Sequence, residues 1–102
     1  MEVEVLKLQN MLKNNEVVLL DVREPYEIEI CHIKGSLFIP MNEIPKNIEQ
    51  LDKEKRYAVM CHSGVRSLHV ANYLNSLGYS ALNVSGGIEM WAIDVDKDMN
   101  RY

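Results

Sequence analysis

Two unbroken apolar runs in this chain stop abruptly on a chemically active residue. Val17-Val18-Leu19-Leu20 ends at Asp21, and Tyr57-Ala58-Val59-Met60 ends at Cys61. Runs this short, without polar alternation, suit strands covered on both faces, which arise where helices cross over a parallel sheet. Ala81 to Val84 is a third short strand, and Leu37-Phe38-Ile39 a fourth, stopped by Pro40. The segments between them carry helical spacing. Leu6, Leu8, Met11 and Leu12 mark one face of a short helix closed by Asn14-Asn15, and Pro25 suits the first turn of a helix over Glu24 to Ile30. Ile44, Ile48 and Leu51 predict a helix from Asn42 to Leu51 with Asn42 as a cap and Pro45 near its start. From Ser67, Leu68, Ala71, Leu74 and Leu77 form the clearest stripe, ended by Gly78, and Ile88 to Ala92 is a short helix or turn after Gly86-Gly87. Strands alternating with helices give an α/β layout with a mostly parallel sheet, in which function gathers just past the carboxyl ends of strands.

The 102 residues suit one domain, 1–102, with a single function. The formal net charge of -4 gives no electrostatic reason to expect nucleic acid or an anionic membrane as partner. No apolar run approaches the roughly 18 residues of a membrane span. Met1-Glu2-Val3-Glu4 lacks the layout of a signal peptide. Two cysteines thirty residues apart, Cys31 and Cys61, do not make a disulfide framework, so a reducing cytoplasm is the expected location.

The chemistry concentrates in Cys61-His62-Ser63-Gly64-Val65-Arg66-Ser67. A cysteine before a helix N-terminus faces unpaired N–H groups with partial positive charge, and a glycine turn can aim several of them at one point as an anion nest. Such surroundings, with Arg66 nearby, lower a thiol pKa and make Cys61 the candidate nucleophile. Arg66 adds a planar donor fork suited to oxyanions. Ser67 is placed to cap the following helix and to donate a hydrogen bond toward the sulfur, while Ser63 and Gly64 let the loop curl. Only four residues separate Cys61 from Arg66. Cysteine-dependent phosphatases use five, and the tighter ring of N–H groups suits one sulfur atom better than a phosphoryl group.

With those residues on the page, the chain resembles a single-domain rhodanese, a member of the sulfurtransferase family. Leu19-Leu20-Asp21-Val22-Arg23-Glu24-Pro25-Tyr26-Glu27, with His32-Ile33-Lys34-Gly35-Ser36 and Ile39-Pro40, is similar to the family's amino-terminal signature. Cys61 through Ser67 resembles its active loop, and Gly86-Gly87-Ile88-Glu89-Met90-Trp91 its closing motif. The likeness runs from about Val17 to the end. The stretch from Trp91 to Tyr102 is also similar to the tails of rhodanese domains attached to cofactor-sulfuration enzymes. The resemblance implies a rhodanese-like α/β fold, a five-stranded mostly parallel sheet flanked by helices on both faces. It also implies a Cys61 persulfide loaded from thiosulfate, glutathione persulfide or polysulfide and unloaded onto an acceptor thiol, cyanide or a sulfur-accepting protein, with no metal and no organic cofactor. Here Cys31 replaces the family's usual small residue before its histidine, and Val65 supplies no second positive charge, which favours a polysulfide, glutathione persulfide or protein persulfide over doubly charged thiosulfate as donor.

Other readings stand beside this one. The domain can instead be a persulfide carrier or interaction module without turnover, or an inactive domain; a phosphatase or arsenate reductase is a third class, opposed by the loop length. His62 is read either as a substrate-positioning or acid group or as a rim side chain without catalytic duty. Cys31 is read as a small buried hydrophobe, with a resolving thiol as the alternative. The two Cys-His pairs do not match zinc spacings. Asp21 and Arg23 are expected to form salt bridges that tie strand to loop, His32 and His69 to be structural, Trp91 to pack in the core, and the six methionines to fill gaps.

Overall fold

The computed structural model describes all of residues 1–102. In chain order the elements are β1 (Glu2–Val3), α1 (Val5–Lys13), β2 (Val18–Asp21), α2 (Pro25–Ile30), β3 (Leu37–Phe38), two 3-10 turns (Met41–Glu43 and Pro45–Gln50), β4 (Arg56–Met60), α3 (Val65–Ser76), β5 (Ser80–Val84) and α4 (Gly87–Asp94). The strands form one five-stranded sheet in the order β1-β5-β4-β2-β3, and every neighbouring pair is parallel. No helix is long and apolar enough to cross a membrane.

The apolar runs have no polar alternation because both faces of the sheet are covered. Leu19, Ala58, Met60, Leu82 and Val84 face α1 and α4, where they meet Val5, Leu8, Met11, Ile88 and Trp91. Leu20, Tyr57, Val59 and Ala81 face the other way, toward Val70, Ala71 and Leu74 of α3 and toward Ile44 and Leu51. Successive side chains of each strand thus feed two cores, as a period of two requires. The register sets Asp21 beside Met60 and Val59 beside Asn83. The carboxyl ends of β2, β4 and β5 therefore lie along one rim of the sheet, with Asp21, Cys61 and Asn83 close to it.

Three expectations are corrected, and one strand is added. Glu2–Val3 is an edge strand paired with β5; two residues are too few to show a pattern, and only pairing makes them a strand. In α1 the buried stripe is Val5, Leu8 and Met11, so Leu6 points outward at 51% exposure. The predicted helix from Asn42 to Leu51 is two 3-10 turns with no side-chain cap. Pro45 falls in the first turn, where proline is tolerated, and the break comes at Asn47, whose φ of -111 and ψ of 18 leave helical geometry. The apolar spacing there still serves, since Ile44 and Leu51 are buried. Finally, α3 begins at Val65 and buries Ser67, Val70, Ala71 and Leu74, leaving Leu68 and Leu77 on its flank. A serine occupies the sheet-facing side because its partners are polar groups on the strands.

The inward stripe of α1 gives a direct test. Replacing Leu8, which is fully buried, with Ala is expected to lower unfolding free energy by about 2–5 kcal/mol, whereas Leu6→Ala should change it by about 0.5 kcal/mol or less. Urea titrations of the two variants decide the matter, and similar losses in both would contradict the assigned face.

Candidate active site

Cys61 follows the last residue of the central strand β4, and its side chain is almost wholly enclosed, at 1% exposure. Gly64 bends the chain back over it with φ +108, a conformation that L side chains rarely adopt. The Gly64 N–H donates to Cys61 Sγ at 3.1 Å and the Ser67 hydroxyl reaches the same sulfur at 3.3 Å. Burial pushes the Cys61 thiol up, but the Ser67 hydroxyl and the N–H groups of Ser67, Gly64 and Ser63 outweigh it, and the thiol lies below its ordinary value. These N–H groups belong to the first turn of α3 and the residues before it, where helix geometry leaves donors without intrahelical partners.

Ser67 is not a helix cap. Gly64 holds the cap position, and Ser67, two residues inside the helix, sits wholly buried between Cys61 and Asn83. Its one hydroxyl proton is shared between the sulfur and Asn83 Oδ1 at 2.5 Å, while Asn83 Nδ2 donates to the Gly64 carbonyl at 3.1 Å and to Glu2 at 2.8 Å. Asn83 therefore holds both ends of the loop's turn. It was missed by sequence reasoning, although an asparagine inside the apolar run Ala81–Val84 is a polar group whose burial demands partners.

Beneath the loop, Ile88 N–H donates to the Cys61 carbonyl at 2.9 Å and Glu89 N–H to the His62 carbonyl at 3.1 Å. The first turn of α4 thus lies flush against the loop backbone. A Cβ on Gly87 would sit against the carbonyl oxygens of Cys61 and His62, and Gly87 also has φ +59. This is the physical content of the Gly86-Gly87 pair.

A second polar chain runs along the other side. Buried Arg23 binds the Asp21 carboxylate through Nε at 3.0 Å and Nη2 at 2.8 Å, as the expected strand-to-loop salt bridge. It also donates to the carbonyls of Glu27 and Cys31 at 3.3 and 2.8 Å and to the Tyr102 hydroxyl at 2.9 Å. Tyr102 in turn donates to Glu27 Oε2 at 2.7 Å, and burial pushes its own hydroxyl up to about 12. Glu27 receives both Arg66 guanidinium nitrogens, at 2.6 and 2.9 Å. That fork, more than any other group, holds the Glu27 carboxyl down at about 2.

The residues read from sequence are therefore distributed as follows. Cys61, Ser63, Gly64 and Ser67 converge through the sulfur or the N–H groups facing it. Val65 is exposed on the first turn of α3. Arg66, on the same turn, closes on Glu27. The His62 ring stacks on Tyr102 with centroids 4.0 Å apart, and its Nε2 is buried without a partner. Cys31 is half-buried, its sulfur 4.0 Å from Arg23 Nη1. His32 packs edge-on against Phe38, and His69 is exposed. Glu27 and Tyr102 were not singled out, because their partners lie far away in sequence.

A family model described as the rhodanese-like domain matches residues 4–94. YtwF of Bacillus subtilis is 41% identical over 78 residues, covering 76% of this chain and 76% of that protein. The thiosulfate sulfurtransferase GlpE of Tolumonas auensis is 35% identical over 82 residues, covering 79% and 77%. Among solved structures, a rhodanese-like domain protein from Staphylococcus aureus superimposes with a TM-score of 0.86 at 33% identity, over 100% of this chain and 99% of that one.

Two measurements probe this geometry. Ser67→Ala removes one donor from the sulfur, so the pH midpoint of Cys61 alkylation, or of thiolate ultraviolet absorbance, is expected to rise; an unmoved midpoint would dismiss the hydroxyl's role. Glu27 has a folded pKa depressed from 4.5 to about 2. Its stabilising contribution is complete above pH 4.5 and disappears as pH falls through about 2. Wild type is therefore expected to exceed Glu27→Gln in stability by about 1 kcal/mol above that window, since the exposed Arg66 partner is screened by water, with the gap closing in acid.

Proposed function

The chain belongs to the rhodanese-like family, and from that membership and the loop geometry we propose that Cys61 carries sulfane sulfur between a donor and an acceptor. Relatives named sulfurtransferases place sulfur transfer as the general chemistry of the group. The observation that supports a nucleophilic Cys61 here is the Gly64 N–H on its sulfur at 3.1 Å, joined by the Ser67 hydroxyl at 3.3 Å, whose one proton is shared with Asn83 Oδ1. They favour thiolate before the reaction and a charged outer sulfur after it.

In this reading the Cys61 thiolate attacks the sulfane sulfur of the donor. With thiosulfate, the sulfur–sulfur bond breaks, sulfite leaves with the bonding electron pair, and Cys61 Sγ–S⁻ remains. The thiolate of an acceptor then attacks the outer sulfur, forming the acceptor persulfide and returning Cys61 thiolate. Each half-reaction makes one bond to sulfur and breaks one, so neither needs a metal or a redox cofactor. The N–H groups of Ser63, Gly64 and Ser67 are held by α3, Asn83 and α4, so they need little reorganisation as charge moves from one sulfur to the next. The near-complete burial of Cys61 favours a cargo of one atom over a tetrahedral group.

The test is a pair of assays on wild type and Cys61→Ser. Thiocyanate formation from thiosulfate or glutathione persulfide with cyanide is expected to fall by at least about a thousandfold in the variant, as removal of a covalent nucleophile does. Mass spectrometry of donor-treated wild type should show one added sulfur on the Cys61 peptide. Equal turnover in the two proteins would end the proposal; the added sulfur without turnover would make the domain a persulfide carrier.

A further inference from the structure

Arg66 is the only cationic side chain between Cys61 and Ser67, and its charge is not free. Both terminal nitrogens are on the Glu27 carboxylate, at 2.6 and 2.9 Å. Glu27 cannot readily swing away, because its oxygens also receive the Glu24 N–H at 3.0 Å and the Tyr102 hydroxyl at 2.7 Å. Its side chain is 4% exposed while that of Arg66 is 33% exposed, so the arginine reaches the surface with its counter-charge locked behind it.

The neighbouring cations are matched in the same way. Arg23 is paired with Asp21 and Arg101 with Glu89. On the far side of the loop, Glu2 accepts from Asn83 Nδ2 at 2.8 Å and makes no ion pair. Each of these three arginines is thus matched by one carboxylate. The attraction left for a negative donor comes from the N–H groups on Cys61, whose partial charges act over short range.

We infer that Glu27 sets the donor class by cancelling Arg66: the loop takes sulfur from the persulfide of a thiol in preference to a doubly charged oxyanion such as thiosulfate. The inference rests on the sulfur-transfer reading above. A persulfide carries at most one negative charge on the group transferred, which the N–H nest can hold, whereas a dianion needs a cation beside it. In the loading step the Cys61 thiolate attacks the outer sulfur of R–S–SH and the donor's S–S bond breaks. The R–S⁻ group leaves with the electron pair and takes up the persulfide proton, yielding Cys61–S–S⁻ and R–SH.

Thiosulfate and methanethiosulfonate test this, since they offer a similar sulfane sulfur with two negative charges and one. The quantity to compare is the ratio of their kcat/KM values in wild type and in Glu27→Gln, with cyanide as acceptor, so that differences in leaving group cancel. Glu27→Gln keeps the side-chain shape and an oxygen for the Glu24 N–H but releases the charge of Arg66. The ratio is expected to move toward thiosulfate by about tenfold; an unchanged ratio overturns the inference and leaves sulfur transfer intact. If the variant does not fold, wild type decides through ionic strength. Its kcat/KM for thiosulfate should stay flat or rise with added salt, and a clear fall, the mark of a cationic site, would overturn the inference. Failure of wild type to load sulfur on Cys61 from either donor is a different result, because it removes the sulfur-transfer reading and this inference with it.

Discussion

The backbone bonds from Ile88 and Glu89 to the carbonyls of Cys61 and His62 hold the Cys61 end of the fold in shape. They turn two loop carbonyls down toward α4, and the N–H groups that follow are left pointing up at the sulfur. That arrangement requires the two backbones to touch, which a side chain at position 87 would prevent. Gly64 completes the reversal from above, and Asn83 pins its carbonyl. A ring of donors held from both sides is preorganised, so charge can appear at its centre without the surroundings having to rearrange.

The buried charges serve position more than stability. Arg23 and Asp21 are both fully enclosed, and taking two charges out of water costs about as much as their attraction returns. What the pair supplies is placement. Arg23 fans out to Asp21 at the end of β2, to the carbonyls of Glu27 and Cys31, and to Tyr102. From Tyr102 the network continues to Glu27 and then to Arg66 at the start of α3. One connected set of hydrogen bonds thus ties β2, α2, α3 and the last residue of the chain, and removing any member leaves the others under-satisfied in a low-dielectric setting.

Much of this was legible before any coordinates. The continuous apolar runs of β2 and β4 read correctly as strands covered on both faces, Ala81 to Val84 as a short strand, and Cys61 as the residue just past the end of β4. Where reading failed, a nonlocal or steric cause intervened. The turns from Met41 to Gln50 show helical apolar spacing, yet the backbone leaves helical geometry at Asn47, which that spacing does not record. α3 turns Ser67 inward and Leu68 to the flank because Asn83 and Cys61 supply polar partners that a hydrophobic count does not see. Glu2 and Val3 become a strand only by pairing with Asn83 and Val84.

The layered α/β sheet, the position of the thiol at its rim and the tightness of the turn after it are all written in the chain. These follow from periodicity, from glycine where φ is positive and from four residues of spacing, all of them local. Which charges remain available to a ligand depends instead on the docking of distant segments. Arg66 meets Glu27 from 39 residues away, and Tyr102 reaches Glu27 from 75. Partners so distant are chosen by how helices dock on the sheet, which no local pattern records, so the same arginine that reads as a free anion-binding fork in the chain is a closed ion pair in the fold.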